Sequence, residues 1–277
     1  MRTRVSWISV CLCAGVLAAA PAEAQYSPKS ASSNRATGET YHVEIGGAFW
    51  NPTPDIVIAS EGLGQAGDPI DFVKTLGIEQ TTFRQLKIVL RPGTKHKFRF
   101  EYTPIHYEAA GTVKVSFVFN GQRYNVGVPV ESDLTWRAYR FGYEWDFLYK
   151  DRGFAGLIVE AKYTDIEATL LSSAVGVSQF TSAKAPIPAI GFIGRGYVVP
   201  NISITGEFTF FKLPDQALEN EDYSGKYYDF DLYGTVNFNN NFGATVGYRS
   251  LDLFYKVKRD HGTMKLDGLY FGVVGRF

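Results

Sequence analysis

"YRFGYEWDF", Tyr139 to Phe147, alternates without a break. Successive side chains of a strand point to opposite faces, so Tyr139, Phe141, Tyr143, Trp145 and Phe147 share one side. Arg140, Gly142, Glu144 and Asp146 share the other. What touches the ring-bearing side decides the fold. Inside a β-sandwich, five consecutive bulky rings would have to interleave with similar rows on a facing sheet, overfilling a core about 10 Å thick. Turned outward into hydrocarbon, the same rows need no partner, and the charged side faces an enclosed interior.

The pattern recurs along the chain. Phe98, Phe100 and Tyr102 oppose Arg99, Glu101 and Thr103; Phe230, Leu232, Val236 and Phe238 oppose Asp229, Asp231, Tyr233 and Thr235; Phe242, Ala244, Val246 and Tyr248 oppose Thr245, Gly247 and Arg249. Ten alternating runs emerge: 41–50, 82–91, 97–106, 133–147, 154–164, 188–198, 202–211, 227–238, 242–251 and 265–277. Tight turns at Pro92-Gly93, Lys150-Asp151-Arg152, Pro200-Asn201 and Asn239-Asn240-Asn241 alternate with mostly longer connections. Short turns at one end and long loops at the other predict an all-β, antiparallel, up-and-down transmembrane barrel of ten strands, with eight as the alternative if one hairpin stands outside. The connection 111–130 holds Asn120-Gly121, suited to a type I′ turn, and is expected to project as a hairpin. In the first long loop, 52–81, Asp68-Pro69 is expected to open a short helix stopped by Gly77.

On the inward faces the alternation places Lys87, Arg91, Arg99, Arg140, Lys162, Arg195, Arg249 and Arg276 against Glu44, Glu101, Glu144, Asp146, Glu160, Glu207, Asp229 and Asp231. Buried charges are tolerable when paired. Equal numbers of each sign therefore predict an internal salt-bridge network and a largely closed lumen. Ten strands are also far fewer than the sixteen or more of water-filled porins.

The remaining sequence agrees with an exported barrel. Arg2 and Arg4 precede an apolar run from Val5 to Ala20 and then Ala22-Glu23-Ala24, the pattern of a cleaved signal peptide over residues 1–24. Both cysteines, Cys11 and Cys13, lie inside it, so no disulfide or thiolate metal site is expected beyond it. Residues 25–39, polar and aperiodic, read as a flexible segment ahead of a barrel over 40–277. Taking Arg2, Arg4 and Glu23 from 28 basic and 28 acidic residues leaves 26 and 27, a balance that gives no electrostatic reason to expect nucleic acid.

The final strand adds a family resemblance. Tyr270, Gly272 and Phe277 in "GLYFGVVGRF" resemble the C-terminal assembly signal of bacterial outer-membrane proteins, although Gly275 departs from the usual apolar penultimate position. In architecture the chain is similar to the small outer-membrane barrels of the OmpA-transmembrane, OmpX, OmpW, opacity and omptin types. That resemblance implies an outer-membrane location, contact with lipid and lipopolysaccharide, and assembly by the β-barrel machinery. It suggests a structural or surface-interaction role through loops 52–81 and 111–130, with a narrow channel for a small or apolar solute as the alternative. Omptins are proteases with an acidic pair and an Asp-x-His pair at the outer rim. Asp229 and Asp231 share an inward face and offer a weak counterpart, with His261 in the last outer loop, but no Asp-x-His occurs. The His-x-Ser pair of lipid A deacylase barrels is also missing. No enzymatic activity, cofactor or metal is expected, and a hydrolase at the outer rim is the least favoured reading.

Overall fold

The computed structural model describes residues 36–61, 67–172, 176–181, 185–213, 223–257 and 260–277. Ten long strands dominate: β1 (Val43–Ala59), β2 (Phe83–Gly93), β3 (His96–Thr112), β4 (Pro129–Lys150), β5 (Gly153–Ser172), β6 (Ala185–Val199), β7 (Ile202–Lys212), β8 (Tyr223–Asn237), β9 (Phe242–Val257) and β10 (Asp260–Arg276). Each pairs antiparallel with the next, and β10 returns to β1 from Glu44↔Arg276 to Ala59↔His261. The sheet is thus a closed ten-strand barrel, and the eight-strand alternative falls. Phe277 completes the seam: its carbonyl accepts the N–H groups of His42 and Val43 at 2.7 and 2.9 Å.

Burial follows the alternation that opens the sequence. In β4, Phe141 is 55% exposed and Phe147 47%, whereas Arg140, Glu144 and Asp146 are buried. Comparable outward rows on other strands include Phe98, Phe192, Phe208, Phe230, Val246 and Phe271. From Tyr139 to Phe147 the outward face rises about 20 Å at roughly 3.3 Å per residue and a tilt of about 40°, most of the apolar band of about 25 Å of a membrane barrel.

The strands run well beyond this belt at the loop end, further than the alternating runs predict. There the two faces exchange character. Continuing up β4, the outward positions become Arg137, Thr135, Asp133 and Glu131, and the inward ones Ala138, Trp136 and Leu134. A belt-seeking pattern ends at this crossover although the ladder does not: β4 pairs β3 up to Thr112↔Pro129 and β5 up to Glu131↔Leu171. Likewise β1 continues through Pro52 and Pro54 to Ala59, where a loop was expected. The missing proline N–H groups are tolerated because β2 pairs β1 only as far as Trp50↔Phe83 and the next ladder contact on that flank is at Val57, so no partner strand faces Pro52 and Pro54 there. Pairing of β9 with β10 extends to Val257↔Asp260, so His261 lies on a strand rather than in a loop.

Inside the loop end lies an apolar core. Ile56, Ile58, Ile105, Leu134, Trp136, Ile166, Leu253, Met264 and Leu266 belong to one buried cluster. Two loop segments cap it. The first contributes Ile70, Phe72, Leu76 and Ile78, and its Ile70–Asp71 pairs with Val57 and Ile58 of β1. The expected helix there is only a turn. Asp71, rather than Asp68, caps it by accepting the Val73 and Lys74 N–H groups at 3.1 and 2.9 Å, and Gly77 ends it at φ +81°. The second segment is a hairpin, Phe117–Phe119 with Gln122–Tyr124, turning at Asn120 and Gly121 with φ 49° and 74°. Its turn is the expected left-handed pair, but the hairpin folds inward instead of projecting. Phe119 and Tyr124 are buried, and the Phe119 ring meets the Phe72 ring edge-on at 6.5 Å. Burying those rings over the mouth removes apolar area that a projecting hairpin would leave in water.

The expected leader, 1–24, and residues 25–35 lie outside the described residues. Ala36 to Glu39, the end of the stretch expected to be flexible, are held at the turn end. Ala36 N–H donates to Asp151 O at 3.1 Å and Thr37 N–H to Pro200 O at 2.7 Å. Gly38, at φ +84°, leaves room for Arg276, whose Nη1 would stand 2.6 Å from any Cβ there.

Candidate functional site

The membrane-depth lumen is filled by charge, built layer by layer from inward strand positions. Nearest the turn end, Arg276 donates to Glu44 at 2.6 Å and to Asn237 Oδ1 at 2.6 Å. Glu39 accepts from Arg195 at 2.8 Å and from the Tyr197 hydroxyl at 2.8 Å, and lies 3.7 Å from Arg91. Lys97 sits between Glu144 at 2.6 Å and Asp146 at 2.9 Å. Deeper, Arg99 bridges Glu207 and Glu144.

Arg140 is the hub. It reaches Glu207 at 2.7 Å, Glu160 at 2.9 Å, Glu101 at 3.1 Å and Asp229 at 3.4 Å. Lys162 joins Glu160 at 3.0 Å to Asp229 at 2.9 Å, and Arg249 joins Asp229 at 2.9 Å to Glu101. With Lys87 near Glu207 and Asp231 against Tyr270, nine basic and nine acidic side chains face the lumen among the described residues.

All sixteen charged residues expected on the inward faces point inward here, and fifteen of them take part in ion pairs; Asp231 is held by the Tyr270 hydroxyl at 2.8 Å. Two participants escape the alternation reading. Lys97 opens the alternating run 97–106 two residues before Arg99 and shares its face, so the signal was present at the edge of the run. Glu39 precedes the first strand and carries no periodic signal.

The possible catalytic trio is not assembled. Asp229 and Asp231 lie in the middle of β8, beside the network and below the apolar cluster, rather than near its outer end. Asp229 carries three cationic neighbours. Asp229 stands level with Leu251 of β9, whereas His261 stands level with Lys256, five positions further up, or about 17 Å along the strand. Of the residues that resemble an assembly signal, Tyr270 faces inward, Gly272 packs where a Cβ would come within 2.5 Å of Gly47 O, and Phe277 is exposed on the outer face.

Outside the barrel, above the belt, His106, Glu108 and Asp133 are the described residues that bring three donor atoms within 4.8 Å of one another. His106 Nε2 lies 3.0 Å from Glu108 Oε1 and 3.6 Å from Asp133 Oδ2, so the imidazole stands between two carboxylates. Burial and two N–H donors act in opposite directions on Asp71 in the cap. Its partial burial raises the carboxyl pKa, but the Lys74 and Val73 N–H groups and the Lys74 ammonium outweigh it and hold the value below the ordinary carboxylate range.

No protein-family model matches the chain, and no curated protein matches it in sequence. Solved structures do resemble it. The outer-membrane protease OmpT from Escherichia coli superposes with a TM-score of 0.55 at 9% identity, covering 85% of this chain and 96% of that one. The toluene transporter TodX of Pseudomonas putida gives 0.37 at 10% identity over 88% and 92%. The attachment invasion locus protein Ail of Yersinia pestis gives 0.33 at 9% identity over 83% and 99%. At these identities the likeness to OmpT concerns the fold alone.

Proposed function

We propose, for a chain with the fold of the small outer-membrane β-barrels, that it spans the outer membrane as a sealed, non-enzymatic pedestal and presents a compact water-facing head outside it. The head consists of the upper halves of the strands together with the inward-folded cap. Its role is surface contact through the connections at 52–81 and 111–130, with lipopolysaccharide and outer-membrane lipid around the belt. Tyr270, Gly272 and Phe277 serve during assembly by the β-barrel machinery.

The stacking of two different seals in one lumen carries this reading. Paired charge fills the membrane depth, and an apolar core with its cap fills the projecting part. An ion crossing this interior would have to part buried pairs and then enter an apolar core, each step costing several kcal/mol. A carboxylate such as Asp229, held by three cations beneath that core, is also poorly placed to meet a substrate at the rim.

Planar-bilayer recording of the purified barrel is the test. The expected result is no steady conductance at physiological salt; a stable open channel would replace this reading with the narrow-channel alternative.

A further inference from the structure

Behind the seam where β1 meets β10, the filled lumen leaves a chamber of about 70 Å³. Its origin is local composition: the inward positions beside it include Gly46 and Ala48 of β1, Thr245 of β9 and Gly272 of β10, all small. Arg99, Arg140 and Glu207 fill the lumen on the β3, β4 and β7 side, so free space collects on the seam side.

The polar groups that line this space are under-used. Thr235 is 1% exposed, and its hydroxyl has no hydrogen-bond partner among the described residues. Gln85 Nε2 is buried and equally unpartnered. Among the described residues the Lys87 ammonium has one carboxylate within ion-pair reach, Glu207 at 3.8 Å, beyond hydrogen-bond distance, and it stands 5.2 Å from the centre of the Tyr233 ring. Among the described residues Asp231 has a single side-chain hydrogen bond, from Tyr270, and no cation within ion-pair distance. Elsewhere in the lumen each charge has an opposite charge against it; Lys87 and Asp231 face the chamber instead.

We infer that this chamber is a binding site for a cluster of water molecules that bridges Lys87, Gln85, Asp231 and Thr235 and completes the lumen network. Three features select water over an ion. Both a cation and a carboxylate face the space, so donors and acceptors are required of the occupant. The lumen already balances nine basic against nine acidic side chains, so an added ion would leave an uncompensated buried charge. The volume suits roughly two to five waters, each needing two to four polar partners. Arg249 and Glu101 close the site toward the loop end, and Arg276 and Glu44 toward the turn end.

The inference goes beyond the sealed-barrel reading and fails separately from it, since a dry chamber would be equally non-conducting. Thr235→Val is the first probe, made in the full-length protein folded in detergent. Removing an unpartnered hydroxyl from a dry site should raise stability, and removing one that anchors water should lower it. The midpoint of the heat-dependent shift in gel mobility is expected to fall by about 2–4 °C. Ala48→Leu, which pushes an apolar side chain into the space, should lower it too, whereas in a dry cavity it would raise it. An unchanged or raised midpoint in either variant overturns the inference.

A crystal structure of the unmodified protein grown in bromide provides a readout that does not depend on a variant folding. Ordered solvent peaks joining Lys87 Nζ to the Asp231 carboxylate are expected. A chamber without density, or an anomalous bromide peak within it, overturns the proposal.

Discussion

Arg140 and Glu207 meet at 2.7 Å across the lumen from β4 and β7, two strands that share no ladder. Their contact ties walls of the barrel that lie three strands apart. Arg140 also faces Glu160, Glu101 and Asp229, so removing its charge leaves four carboxylates looking at one another with fewer cations between them. Arg140→Leu is expected to destabilise the barrel by about 3–5 kcal/mol, the usual cost of breaking a buried pair from one side. Urea unfolding in phospholipid vesicles measures it. A loss below about 1 kcal/mol would mean that water, not Arg140, neutralises the carboxylates.

The projecting half should respond to a different chemistry. Leu134 is fully buried in the apolar cluster, and Leu134→Ala is expected to cost about 2–5 kcal/mol by leaving a cavity. Tyr107 lies in the same cluster at 1% exposure, its hydroxyl without a hydrogen-bond partner among the described residues. Tyr107→Phe should therefore be neutral or stabilising by up to about 1 kcal/mol. The pair of variants separates a packed apolar core from a polar lumen, in which the order of the two effects would reverse.

The cap should loosen in acid. The folded-state pKa of Asp71 lies below its ordinary value of 3.8. A lowered folded pKa contributes stability that is present above the unfolded value and is lost as pH falls through the folded one. Amide exchange in residues 70–78 is therefore expected to be slow near neutral pH. Relative to the intrinsic rate, it should accelerate on acidification below about pH 4. Asp71→Asn should remove most of that pH dependence, because its amide oxygen still accepts an N–H bond but carries no charge toward Lys74. An identical profile in the variant would assign the effect to another group.

Most of the membrane-depth architecture can be read from the chain because one physical rule governs it: lipid outside, paired charge inside. Tyr139 to Phe147 and Arg140 to Asp146 obey that rule in alternation, so strand, face and compartment follow together. Above Ala138 the environments exchange places, with water outside and a protein core inside. Alternation persists, but the apolar residues change face. A reading that searches for one apolar face stops there, and it took the upper part of β1, with Pro52 and Pro54, for loop. The cap was harder still. Phe72, Phe119 and Tyr124 come from separate segments, and nothing local in either indicates that they converge over the mouth. Glu39 joins the network from outside every alternating run.

The exchange of faces makes the final prediction a comparison of two positions on one side of β4. Tyr143 lies in the middle of the outward belt, and Glu131 lies on the same face twelve residues toward the loop end, where the outward side chains are polar. If hydrocarbon touches Tyr143 and water touches Glu131, Tyr143→Arg should cost about 2–4 kcal/mol, as charge at the bilayer midplane of a barrel does. Glu131→Arg should stay within about 0.5 kcal/mol of the unmodified protein, as exposed substitutions usually do. Unfolding titrations of both variants in the same vesicles decide the matter. Equal costs at the two positions would remove the belt boundary, and with it the projecting head on which the surface-contact reading depends.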